Sequence, residues 1–175
     1  MTKEGRLYEY VGPPELKARV VSGDEGQRIR TSEDLSRWLS THGLEESAEP
    51  FTFVVGVDGL LRLAPRRSEH VSCSGAQPVL SAGEMTFAQT LGEWVVTEIS
   101  NQSTGYCPDL ASWRAVTAAL IRIGVAHPDG FTHGVVFRRC PGCGQVNIVR
   151  EEDFVCVFCE SSLPQHWNVD GDGID

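Results

Sequence analysis

Two Cys-x-x-Cys pairs, CPGC at 140–143 and CVFC at 156–159, constrain this chain more than any other feature in it. Zinc takes four soft ligands in a tetrahedron, and a Cys-x-x-Cys turn aims two thiolates at one ion while backbone N–H groups steady the sulfurs. Two such turns with a strand-forming stretch, QVNIV, between them specify a zinc ribbon over 134–169. Gly144, just past the first turn, is the left-handed residue that lets the chain swing away. With Cys140, Cys143, Cys156 and Cys159 filling the coordination sphere there is no position left for water, so the expected Zn2+ is structural. Disulfides would need an oxidising compartment. A thioredoxin-like redox site uses one pair in a βαβ setting, and rubredoxin-like iron usually spans a longer insert.

The rest of the 175 residues reads as α+β. RLYEYVG alternates like a strand, Pro13-Pro14 stops it, and KARVV restarts an extended segment. TSEDLSRWLSTHG has the marks of a short helix, with Thr31 or Ser32 as cap, Leu35, Trp38 and Leu39 on one face and Gly43 as stop; LEESAEP is a polar connector. These make an N-terminal segment over 1–49. From Phe51 the period changes to two: FTFVVGVDGLLRLA is a hairpin around Asp58-Gly59, followed by extended HVSCS, PVLSAGEMTF and EWVVTEIS. Asp109 caps a main helix over 109–123, with Leu110, Trp113, Val116, Thr117, Leu120 and Ile121 recurring at three and four and Gly124 past its end. The expected unit over 50–133 is an antiparallel sheet covered by that one helix, with the ribbon docked through Phe154, Phe158 and Trp167. NVDGDGID, 168–175, opens like a calcium loop but lacks the closing acid, so 170–175 reads as an acidic tail.

Charge narrows the partners. Fifteen Lys plus Arg stand against twenty-four Asp plus Glu, and an acidic chain repels phosphate, which argues against nucleic acid. The basic clusters are small, Arg62, Arg66 and Arg67, then Arg138 and Arg139, and read either as a local patch or, better, as solvated strand edges. Glu151, Glu152, Asp153 and Glu160 beside the second knuckle favour a protein partner, or a purely stapling role, over DNA. No apolar run approaches the ~20 residues of a membrane span and no leader precedes the first strand, so the expectation is a soluble cytoplasmic chain.

Cys73 in HVSCSG and Cys107 in TGYCPD lie outside the ribbon, each with hydroxyls and a His or Tyr nearby. They read either as small buried residues or as nucleophiles, with His70 the nearest base to Cys73. In a meander, 70–73, 82–84 and 99–106 can be neighbours, so His70, Ser72, Glu84, Ser103 and Tyr106 could converge on one polar site, with Gly105 allowing close approach. The alternative is a buried hydrogen-bond network.

The stretches FTFVV, EHVSCSGAQPVLSAGEMTF and ISNQSTGYCPD resemble, in order and content, a module of plant IQ-motif calmodulin-binding proteins and bacterial, partly effector-like proteins. That module has a His-Ser-Ser element, an Ala-Gly strand and Ser-Gly-His-Tyr-x-Pro before a helix. His70 and Ser72 match the first, Ala82-Gly83 the second, and Ser103, Tyr106 and Pro108 the third, over roughly 51–120. Thr104-Gly105 stands where the family has Gly-His, so the third element lacks its histidine. Two functions follow. One is a zinc-containing binding module for a protein or small-molecule ligand, with Ser72, Glu84, Gly105 and Cys107 as candidate ligand contacts. The other is an effector-type transferase or hydrolase, such as an ADP-ribosyltransferase with Glu84 as its acid, using His70 as base, Cys73 or Ser103 as nucleophile and Tyr106 to position substrate. The missing histidine favours binding.

Overall fold

The strand FTFVVG, 51–56, is buried at every residue, which only the middle of a sheet covered on both faces allows. In the computed structural model, which describes residues 5–42 and 50–170, it is β2 (Phe51–Gly56). β2 turns through Asp58-Gly59 into β3 (Leu61–Ala64), with Gly59 at φ 77° and the Asp58 carboxylate held by both Arg62 terminal nitrogens at 3.0 and 3.1 Å. On its other side β2 pairs with β4 (Val79–Thr90), which folds back as β5 (Glu93–Ile99). β1 (Gln27–Ile29) adds to β3, so the antiparallel order is β1-β3-β2-β4-β5. Part of the expected N-terminal segment therefore belongs to the same sheet as 51–99.

Two helices, not one, cover the first face. α2 (Ser32–His42) contributes Leu35, Trp38 and Leu39, and α4 (Trp113–Ile123) contributes Val116, Ala119, Leu120 and Ile123, against Phe53, Val55, Leu61, Leu63, Met85 and Ile99. Burying each such side chain contributes about 1.5–3 kcal/mol. α4 starts later than its sequence suggests. Residues Leu110–Ser112 form a 3₁₀ turn, Asp109 makes no side-chain cap, and Leu110 and Ile121 are exposed. Gly124 ends the helix at φ 83°, as its position implies.

The second face is closed by a short α3 (His70–Cys73), by Tyr8 and by Tyr106, packed on Val54, Ala64, Val79 and Ala82. HVSC is thus a single helical turn and not a strand. Val71 and Cys73 are both buried, and two buried residues at i and i+2 mimic a strand when the segment is too short to show a period. Likewise RLYEYVG reduces to one bridge between Tyr8 and Val79, and KARVV does not restart a strand: Lys17 and Ala18 end the helix α1 (Pro14–Ala18), whose proline sits in the first turn, where its missing N–H costs nothing. Gly43, the connector at 44–49 and the tail at 171–175 lie outside the described residues.

The C-terminal part is a hairpin of β6 (Val136–Arg139) and β7 (Val146–Val149), carrying one Cys-x-x-Cys turn at its tip and the other just after it. It docks on the body through Phe137, Val169 and Trp167 around Cys107. The Trp167 indole N–H donates to the Cys107 carbonyl at 2.8 Å, and its ring meets Tyr8 edge-on at 5.2 Å. Phe154 packs inside the ribbon and Phe158 is exposed, so of the three expected docking aromatics only Trp167 bridges to the body.

Candidate functional site

The two knuckles repeat one backbone circuit. In the first, Cys140 N–H donates to the Gln145 carbonyl at 2.8 Å and Gly144 N–H to the Cys140 carbonyl at 2.9 Å. In the second, Cys156 N–H donates to the Ser161 carbonyl at 2.8 Å and Glu160 N–H to the Cys156 carbonyl at 2.9 Å. The N–H groups of Gly142 and Phe158 point at the sulfurs of Cys140 and Cys156, at 3.3 and 3.4 Å. The circuit needs a left-handed residue at its fifth position, which is Gly144 at φ 77° in one knuckle and Glu160 at φ 63° in the other. Only glycine adopts that conformation freely, so Glu160 costs about 1 kcal/mol or more there.

These turns bring the four sulfurs of Cys140, Cys143, Cys156 and Cys159 within 4.8 Å of one another. Cys140 and Cys159 are 3.5 Å apart at sulfur, and Cys143 and Cys156 are 3.6 Å apart. Tetrahedral Zn–S bonds of ~2.3 Å set sulfurs about 3.8 Å apart, so the cluster has the size and donor set of a four-thiolate metal site. All six cysteines are free. Asn147, buried under the second knuckle, donates to Cys156 Sγ at 3.4 Å and accepts the Val157 N–H at 2.9 Å. Burial pushes the Cys156 thiol up, but the Asn147 amide and the N–H groups of Phe158 and Cys159 outweigh it and bring it down to about 6. At Cys143 the Gln145 backbone pulls the thiol down, but burial and the three neighbouring sulfurs outweigh it and push that thiol up to about 12, so the cluster shares a proton that a bound metal would displace.

The polar corner is built differently. His70, on α3, directs Nε2 at the Gly83 carbonyl, 2.8 Å away; that acceptor requires the proton on Nε2, and burial lowers the imidazole pKa. Gly83 itself is needed for packing, because a Cβ there would run into the Ser100 carbonyl. Tyr106 is fully buried. Its hydroxyl donates to the Gln77 carbonyl at 2.7 Å and meets Ser74 Oγ at 2.6 Å, and burial pushes its pKa up to about 12. Ser103 is buried too, and its hydroxyl accepts the Tyr106 N–H at 3.3 Å. At Gly105 the Tyr10 ring lies where a Cβ would point, and the Gly105 carbonyl accepts the Val11 N–H. Cys73 and Cys107 are buried, and burial pushes both thiols up to about 12. Near neutral pH each stays a thiol, the form that is not the nucleophile.

The candidates do not gather in one cavity. Ser72 and Cys73 line a cleft of about 470 Å³ with Glu69, Trp38 and His42. Glu84 instead faces a smaller one of about 210 Å³ with Glu98, Gln102 and His133, and burial raises its carboxyl pKa. No protein-family model matches this chain, and neither a curated protein nor a solved structure matches it.

Asn101, which sequence reasoning passed over, joins the two regions. Fully buried, its amide nitrogen donates to the Pro108 and Val135 carbonyls at 2.9 and 2.8 Å, and its oxygen accepts the Val135 N–H at 2.6 Å. The only sequence signal was position, a short amide just past a strand end. Arg138 was also misplaced on a solvated edge. It is buried, and its guanidinium donates to the carbonyls of Phe137, Pro164 and Gln165 at 2.7–3.0 Å.

Proposed function

We propose that this chain is a binding module in which a structural zinc ion, held by Cys140, Cys143, Cys156 and Cys159, stiffens a ribbon that is presented to a protein partner. The observation carrying this reading is the four-sulfur cluster, closed by two backbone circuits with tetrahedral spacing. Four thiolates leave the ion no open position, so it supplies folding energy and not a reactive water. Binding is favoured over catalysis because the corner's candidate base, hydroxyl nucleophile and positioning tyrosine are spent internally, and Ser72 and Glu84 face separate clefts. His70 is tied to Gly83, Tyr106 to Gln77 and Ser74, and Ser103 to the Tyr106 N–H. The acidic stretch at the second knuckle favours protein over nucleic acid. Among the described residues no helix is long and apolar enough to cross a membrane.

Elemental analysis of the purified chain tests the core of this reading. One zinc per chain, lost together with protease resistance of 136–163 on chelation, is the expected result. Well under one metal per chain, or a ribbon indifferent to the chelator, sinks it.

A further inference from the structure

The two knuckles share a backbone circuit but not a surface, and the difference marks out a docking site. Between its cysteines the first carries Pro141 and Gly142, and the second carries Val157 and Phe158. Val155, Val157 and Phe158 are 43%, 77% and 62% exposed. Nothing in the metal circuit calls for a large apolar side chain at the third position, since Gly142 fills that place in the first knuckle with the same N–H to sulfur bond. Exposed apolar groups grouped in this way mark an interaction site in a folded protein.

The frame around the patch says what kind of partner it takes. Glu151, Glu152 and Asp153 precede it and Glu160 follows, with no Lys or Arg from 151 to 162. Glu151, Glu152 and Glu160 all hold left-handed backbone, at φ 53°, 59° and 63°. None of the four acids makes an ion pair among the described residues. The fold thus bears strain at three positions where glycine would relieve it, and among the described residues it gains no ion pair from the carboxylates.

We infer that Val155, Val157 and Phe158, in this acidic frame, dock a protein segment that covers Phe158 with an apolar side chain and sets lysine or arginine against the glutamates. Phosphate backbones are repelled by the frame. A second copy of this chain, with its net charge of −9, would oppose acid to acid.

The inference rests on the metal-stapled ribbon, so its test uses the full chain with zinc content measured in every sample. The probes are short labelled peptides bearing one Leu, Phe or Trp among lysines and arginines, the same peptides with glutamate in place of the basic residues, and a DNA duplex. The zinc-loaded chain is expected to bind basic peptides and to lose them with rising salt. Phe158→Ser should weaken binding at least about tenfold, as removal of a central aromatic anchor does. Glu160→Gly should weaken it about two- to threefold while raising thermal stability, since it removes one rim charge and relieves one strained residue. Glu93→Gln, the same charge change on the far hairpin, should leave it unchanged.

A zinc-loaded chain that binds no basic peptide, that binds as well after Phe158→Ser, that loses as much through Glu93→Gln, or that prefers DNA or itself, overturns the docking surface and leaves the stapled ribbon standing. Absence of zinc overturns both.

Discussion

The ribbon and the polar corner are both polar constellations around cysteines, yet they are held by opposite means. In the ribbon, four sulfurs converge and the backbone supplies N–H groups to them, an arrangement that could hold a metal ion. In the corner, His70, Ser74, Ser103 and Tyr106 find their partners within the chain, while Ser72 and Glu84 face two separate clefts, and two cysteines are left as buried thiols. Convergence of donors with the same chemistry points to a ligand. Reciprocal pairing of donors with acceptors points to a fold satisfying itself.

Removing metal makes the sharpest break. Structural zinc supplies about 10–16 kcal/mol to small sites, so chelation should abolish amide protection over 136–163 while β2 and β4 keep theirs. Hydrogen exchange by mass spectrometry reads both regions at once. Equal loss in both would mean that the two parts fold as one.

Next in size is the link between the regions. Asn101→Ala strips partners from the Pro108 and Val135 carbonyls and from the Val135 N–H, and should cost about 3 kcal/mol or more in denaturant unfolding, at ~1–3 kcal/mol for each of the three groups orphaned. Zinc content should stay at one per chain, separating lost docking from a lost metal site.

Tyr106→Phe tests the corner alone. The Gln77 carbonyl and the Ser74 hydroxyl lose a partner, so the expected cost is about 1–3 kcal/mol, again with zinc retained. A variant as stable as the parent would show that water reaches those atoms and that the corner is a pocket after all.

The smallest effect is a pH dependence confined to the corner. Burial lowers the His70 pKa in the fold below its unfolded value of about 6.5. On acidification the unfolded chain therefore takes up this proton first, and the stability that neutral His70 contributes above pH ~6.5 is lost as pH falls through the folded pKa. His70→Gln should flatten that part of the stability profile without touching metal affinity.

What could be read from the sequence followed from how local each signal was. The Cys-x-x-Cys turns, the Asp58-Gly59 hairpin and the Leu35-Trp38-Leu39 face each depend on residues a few places apart, and the structure has them all. HVSC misled because one turn of helix and two residues of strand bury the same pair. Leu110 and Ile121 fit the apolar spacing but are exposed: Leu110 lies in the 3₁₀ turn ahead of α4, and Ile121 sits beside the buried face made by Val116, Ala119, Leu120 and Ile123. The corner could not be sorted into pocket or network from sequence. The partners of Tyr106 lie 29 and 32 residues away, and Asn101 reaches 34 residues to Val135. Pairings at that distance leave no periodicity to read. The gathering of the four cysteines was legible; Asn101 and the left-handed glutamates around the exposed knuckle were not.

The return of Trp167 and Val169 to the body has a practical consequence for anyone who would cut this chain in two. The residues that leave the ribbon fill the space beside Tyr8 and Cys107, so truncation at the start of β6 removes a wall of the body along with the ribbon. A separable body must keep 167–169 and bridge the gap with a linker. The boundary that looks natural along the sequence is, in three dimensions, a seam stitched from both sides.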